Sequence, residues 1–180
     1  YTHSVHSAHE HSILHICRYL QENKNKGLIL KLSDNCNVDC YVDAEFAGLW
    51  RVEDPTNPNC AKSRTGYVIT VAGCPIVWKS KLQQEVSLST LHAKYLALSQ
   101  AVQDFLLLKE LVKEILNEYK FETSKVKFYT HSTIFEDNLG TLTVAKSPRF
   151  TPTSKFIAVK YHWFRQHATG ENRAFDLKHI

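Results

Sequence analysis

Leu88 to Leu98, "LSTLHAKYLAL", opens the longest periodic segment of the chain. Leu91, Tyr95 and Leu98 recur at helical spacing, and the same apolar stripe runs from Leu88 through Val102, Phe105, Val112 and Leu116. The pattern predicts a long helix from about Ser89 to Tyr119, with Ser89 or Thr90 placed to cap it. Lys94 breaks the pattern, because it lies on the edge of the apolar stripe and therefore points its ammonium inward.

Outward from that helix the chain changes period. Upstream, "CYVDAEFAG" (40–48), "TGYVITVAG" (65–73) and "CPIVWKS" (74–80) are rich in Val, Ile, Tyr and Trp. Gly73 and Pro75 separate the last two, so the three segments read as an antiparallel meander beginning at Cys40, with the loop 51–64 joining the first two. Further upstream, "LILKL" (28–32) reads as extended, and Ile13, Leu14, Ile16, Cys17 and Leu20 predict a helix from about Ala8 to Gln21. Downstream, "STIFEDN" (132–138) is a short strand ending in two carboxylates. "LGTLTVAKS" (139–147) and "IAVKYHWFRQHA" (157–168) read as helices, and "RAFDLKHI" (173–180) as a terminal strand.

Bulk properties bound the answer without deciding it. A chain of 180 residues with 43% hydrophobic content is long enough for one domain with its own core, and a net charge of +4 permits nucleic-acid contact without demanding it. Five cysteines at irregular spacing (Cys17, Cys36, Cys40, Cys60, Cys74) do not form a secreted disulfide framework, and no apolar run approaches a membrane span. An intracellular, reducing setting is expected, with no membrane partner. The opening "YTHSVHSAHEHS" has no signal-peptide core, and a start on Tyr rather than Met is expected of a piece of something longer.

The element order is three strands, helix, strand, helices, strand, with one carboxylate in the middle of the first strand and another at the end of the fourth. That is the layout of a ribonuclease H-like fold: a mixed α/β sheet, an antiparallel three-strand meander plus parallel strands, flanked by helices. The chain resembles the RNase H domain of Ty1/copia-type retrotransposon Pol polyproteins over nearly its whole length. "YVDAEFAG" resembles the family's Y-[SV]-D-A-D-[WF]-A-G, and "KSRTGYVITVAGCPIVWKSKLQ" its K-S-[RT]-[TS]-G-Y…G-x-P-I-x-W-x-S-K-x-Q. "FEDN" matches [CE]-D-N, and "SKFIAVKYHWFRQH" matches [ST]-K-H-I-x-[IV]-[KR]-Y-H-x-[FI]-R-[ED]. The resemblance divides the chain into a helical segment, 1–26, similar to the connection between polymerase and RNase H, and an RNase H-like domain, 27–180, lacking its C-terminal helix.

The resemblance implies four acids holding two Mg²⁺ ions about 3.5–4 Å apart, which activate a water and stabilise the leaving oxygen of an RNA strand paired with DNA. The first acid falls on Asp43 and the third on Asp137. The helix motif L-S-[ST]-x-E-A-E-Y reads Leu88-Ser89-Thr90-Leu91-His92-Ala93-Lys94-Tyr95, so the ligand position falls on Lys94. The fourth acid belongs to a V-P-T-x-x-Q-x-A-D helix beyond the last strand, absent from this sequence. Asp43 and Asp137 are thus expected to bind metal weakly or not at all, and Lys94 is expected to pair with both. The reading is a non-catalytic structural or interaction module with no cofactor.

Two alternatives stay open. One is an active nuclease that uses Mg²⁺ on RNA/DNA hybrids, with Glu45 or Glu136 completing the site. The other is a module that binds RNA or a hybrid without cleaving it, or joins other proteins of a larger assembly. Arg64, Lys79, Lys81 and Gln84 lie in the motifs that face the phosphates in the resembling family; solvated surface lysines explain them equally well. Glu45 and Glu136 are expected to face solvent beside the inherited acids. His11 and His15 form a surface pair at helical spacing, Cys36 and Cys40 are free thiols, and Ser89 is a helix cap rather than a nucleophile. Trp78, Tyr161, His162 and Trp163 are core or rim aromatics, or a surface on which a base stacks. Phe156 stands where the family has histidine, and Ala158 where Asp or Asn is common.

Overall fold

Alternating burial along one strand organises the architecture. In the computed structural model, β1 (Val38–Glu45) buries Val38, Cys40, Val42 and Ala44 and turns Tyr41, Asp43 and Glu45 outward, which is the period of a half-covered strand. The residues described are 5, 7–31, 33, 36–50, 56–118, 132–147, 149, 152, 154–171 and 173–180. They form two compact units, Tyr1–Leu30 and Lys31–Ile180.

The first unit carries one helix, α1 (Ser7–Asn23), with Ile13, Ile16 and Leu20 exposed along it. Leu28, Ile29 and Leu30, expected to be extended, form no strand, and Leu32 lies outside the described residues.

In the second unit β2 (Arg64–Val71) and β3 (Cys74–Leu82) form the expected hairpin. Its two-residue turn, Ala72–Gly73, has positive φ at both positions (51° and 81°), the combination that follows the natural strand twist. Backbone bonds from Ala72 N to Asn37 O and from Ser33 N to Ala72 O hold the alanine there. β4 (Ser132–Glu136) and β5 (Asp176–His179) complete a five-stranded sheet of order β3-β2-β1-β4-β5. The first three strands are antiparallel, whereas β4 and β5 run parallel to β1. An antiparallel meander continued by two parallel strands is the arrangement expected from the element order.

The long helix α2 (Thr90–Glu118) lies against the buried side of β1 and β2; Tyr119 falls outside the described residues. Ala93, Ala97 and Ala101 let it approach the strands, while Tyr95, Leu98, Val102 and Phe105 are fully buried. Full burial of side chains this size contributes about 1.5–3 kcal/mol each before entropy. Leu88 differs from expectation: it precedes the helix and is exposed. The expected third helix is broken, with a 3₁₀ turn at Val159–His162 followed by a short helix at Arg165–Ala168. Its aromatics still pack inward: Tyr95 Oη meets His162 Nδ1 at 2.8 Å and accepts from Arg165 Nε at 2.9 Å, and Trp163 Nε1 donates to Ser99 Oγ.

Candidate functional site

Sheet register brings Asp43 and Asp137 together. Val42 pairs with Glu136 across the parallel β1–β4 ladder, so the next residues, Asp43 and Asp137, emerge side by side. Asn138 then caps α3 (Leu139–Lys146), its Oδ1 accepting from Thr141 N at 2.9 Å. Gly140 keeps α3 close to α2, because a Cβ there would lie 3.0 Å from Leu91 Cδ1.

Across from these acids, Ser89 caps α2: its Oγ accepts from His92 N at 3.1 Å. His92 Nδ1 in turn accepts from Leu88 N at 3.2 Å, tying the residue before the cap to the first helical turn. Burial holds the His92 imidazole below its usual pKa, so it stays the neutral acceptor that this bond needs. Two residues on, Lys94 is 6% exposed. Its Nζ donates to Asp43 Oδ1 at 2.6 Å and to Asp137 Oδ1 at 2.5 Å, with Glu136 Oε1 at 3.8 Å.

Three carboxyl groups around one ammonium cannot all be ionised cheaply in a half-buried site. Glu136 takes the strain. It was expected to face solvent, but its pairing with Val42 puts it on the helix side of the sheet, where it is fully buried. Burial pushes its pKa up to about 8, assisted by Asp137 and opposed by Lys94, and its Oε2 has no hydrogen-bond partner. Asp137 is held below the usual carboxylate range, chiefly by the Lys94 hydrogen bond. For Lys94, burial pulls the pKa down, but the bonds to Asp137 and Asp43 outweigh it and the net shift is upward. Glu45 does face solvent, but it folds back over Gly48, where a Cβ would lie 2.2 Å from its carboxylate.

A metal bridging Asp43 and Asp137 would have to stand where Lys94 Nζ stands. A dication displaced about 4 Å from that ammonium would meet repulsion of roughly 4 kcal/mol per unit charge at an effective dielectric of 20. The donor set as folded does not fit the Mg²⁺ pair that the fold family implies.

Of the residues expected to meet phosphates, Lys79, Lys81 and Gln84 share one open cleft of about 310 Å³, whose walls include Gln100, Gln103 and Lys160. Arg64 is not among its lining residues and instead pairs across the strands with Glu45. Lys79 reaches Asp104 at 3.4 Å, and Lys160 pairs with Glu85. Lys160 stands at the [KR] position of the quoted motif, but its place at the cleft was not expected, because only the tertiary packing of the 3₁₀ turn brings it there. Gln83, beside Gln84, is buried and structural: its Nε2 donates to Ala93 O at 2.8 Å and to Thr65 Oγ1 at 3.2 Å, and its Oε1 accepts from Ser87 Oγ.

Over 165 residues, 91% of this chain and 11% of the relative, the sequence is 30% identical to the retrovirus-related Pol polyprotein from transposon TNT 1-94 of Nicotiana tabacum. Over 172 residues, 96% of this chain and 10% of the relative, it is 26% identical to the retrovirus-related Pol polyprotein from transposon RE1 of Arabidopsis thaliana. The chain is homologous to a segment of Ty1/copia-type retrotransposon Pol polyproteins. It spans about a tenth of the length of these Pol relatives. No protein-family model matches the chain. Among solved structures, LC11-RNase H1 in complex with an RNA/DNA hybrid superposes with a TM-score of 0.46 at 16% identity, covering 79% of this chain and 84% of that one. The described cysteines, Cys36 and Cys40 among them, are free thiols, and His11 and His15 are exposed.

Proposed function

We propose that this RNase H-like domain has lost its nuclease chemistry and serves as a structural or interaction module. The observation that carries the reading is the Lys94 ammonium bonded to both Asp43 and Asp137. A tethered monocation balances part of the acid charge and crosslinks α2, β1 and the end of β4, but it supplies neither an activated water nor a Lewis acid for the leaving oxygen. A fold can persist in this way after its chemistry has gone.

The test is cleavage of an end-labelled RNA/DNA hybrid in Mg²⁺ or Mn²⁺. The expected result is no cleavage above the protein-free rate; turnover that disappears in Asp43→Asn would overturn the reading in favour of an active enzyme.

The lysine-lined cleft supports a second reading, duplex or RNA binding without cleavage. Under it, a gel shift would weaken steeply with salt and be lost in Lys79→Glu/Lys81→Glu. A shift insensitive to both would leave the cleft lysines as solvated surface groups.

A further inference from the structure

One titratable ring joins the first turn of α2 to the stretch that leads into it. His92 is 7% exposed, and its Nδ1 accepts from the Leu88 amide at 3.2 Å. A backbone N–H can only donate, so Nδ1 holds a lone pair and the ring proton sits on Nε2. Nε2 is buried and has no hydrogen-bond partner. Both ring nitrogens are therefore placed for the neutral imidazole, and neither meets an acceptor that an imidazolium would need.

The surrounding charges do not supply one. Among the described residues, Glu85 is the charge that acts on the ring, and it raises the pKa less than burial lowers it. Glu85 is itself committed to Lys160 of the 3₁₀ turn and to Tyr161 beside it, which together hold its carboxyl below the usual carboxylate range. Lys94, two residues on, lies roughly 200° round the helix and meets Asp43 and Asp137 instead. The other bonds at this entry do not depend on the ring's proton: Ser89 Oγ caps His92 N, and Ser87 Oγ donates to Gln83 Oε1 at 2.8 Å.

We propose that His92 is an acid-opened latch. Neutral, it holds the stretch 85–88 against the first turn of α2; protonated, its Nδ1 becomes a donor opposite the Leu88 N–H, and the stretch lets go. Burial keeps the closed ring's pKa below that of the free ring, so the latch contributes stability above 6.5 and loses it as pH falls. A released ring titrates near its usual 6.5, and acidification from pH 7.5 to 5 then favours the open form roughly thirtyfold.

Nuclear magnetic resonance on the whole chain tests the latch. Ring ¹⁵N shifts of His92 are expected to show the Nε2–H tautomer at pH 7.5 and protonation of both nitrogens at pH 5. Over the same range the Leu88 amide is expected to lose about tenfold or more of its protection from hydrogen exchange, corrected for the intrinsic rate, while the Leu98 amide deep in α2 keeps its own. His92→Gln offers an amide oxygen that can accept from Leu88 N and does not titrate, so no fall is expected in that variant. An Nδ1–H tautomer at pH 7.5, unchanged Leu88 protection, or a fall shared by Leu98 would overturn the proposal. So would a fall of equal size in His92→Gln, which would assign the effect to another group such as His162.

Discussion

Two polar clusters sit under consecutive residues of the same helix, and they are built on opposite principles. Beneath Ala93, the Gln83 amide, Thr65 and Ser87 form a neutral network in which both ends of the amide are satisfied. Beneath Lys94, three carboxyl groups share one ammonium, and burial together with Asp137 raises the pKa of Glu136 to about 8. The first cluster, built on Thr65 of β2 and Gln83 just after β3, does a structural task. The second gathers three acids about one buried lysine. A neutral network is secure at any moderate pH, whereas a charge-inverted one ties stability to protonation.

The contrast can be broken from either side. The largest effect is expected from Gln83→Ala, which strands Thr65 and Ser87 in a buried site: about 2–4 kcal/mol lost in urea unfolding, with no new pH dependence. Lys94→Met is expected to cost less, about 1–3 kcal/mol. It leaves Asp43 and Asp137 unneutralised, but both are more than half exposed and water takes up part of the loss.

Glu136→Gln is expected to change the shape of the stability curve more than its height. In the native chain Glu136 keeps its proton up to about 8, while the unfolded carboxyl releases it near 4.5, so between those values the folded state binds more protons and stability falls as pH rises. Asp137 acts the other way: its lowered pKa gives stability that is present above 3.8 and lost on acidification through its folded value. Lys94, shifted upward, contributes fully below 10.5 and is lost only at higher pH. Thermal melts from pH 5 to 9 should therefore show a decline in the wild type that the glutamine variant flattens. The smallest effect belongs to His92→Ala, about 0.5–1 kcal/mol, the magnitude of a lost capping contact. A loss as large as that of Gln83→Ala would show that the histidine does more than cap.

How far the sequence carried depended on whether a feature was local. The helical period around Leu91, Tyr95 and Leu98 placed Lys94 inward, and motif spacing brought Asp43 and Asp137 to the same place, because both patterns are written along single elements. Glu136 was misplaced because its burial comes from the parallel pairing with Val42, a contact between segments nearly a hundred residues apart. The apolar run at Leu28–Leu30 suggested a strand, but a strand exists only with a neighbour to bond, and none pairs with these residues among those described. The break in the helix before Arg165 and the cleft role of Lys160 both depend on packing, which single-sequence periodicity does not encode.

The account rests on an ammonium filling the place of a metal, and equilibrium Mn²⁺ binding followed by electron paramagnetic resonance reads that place directly. Wild type is expected to show no saturable Mn²⁺ site, whereas Lys94→Glu, which returns an acid among Asp43, Glu136 and Asp137, is expected to gain one. Saturable Mn²⁺ binding by the wild type that is abolished in Asp43→Asn would contradict the account.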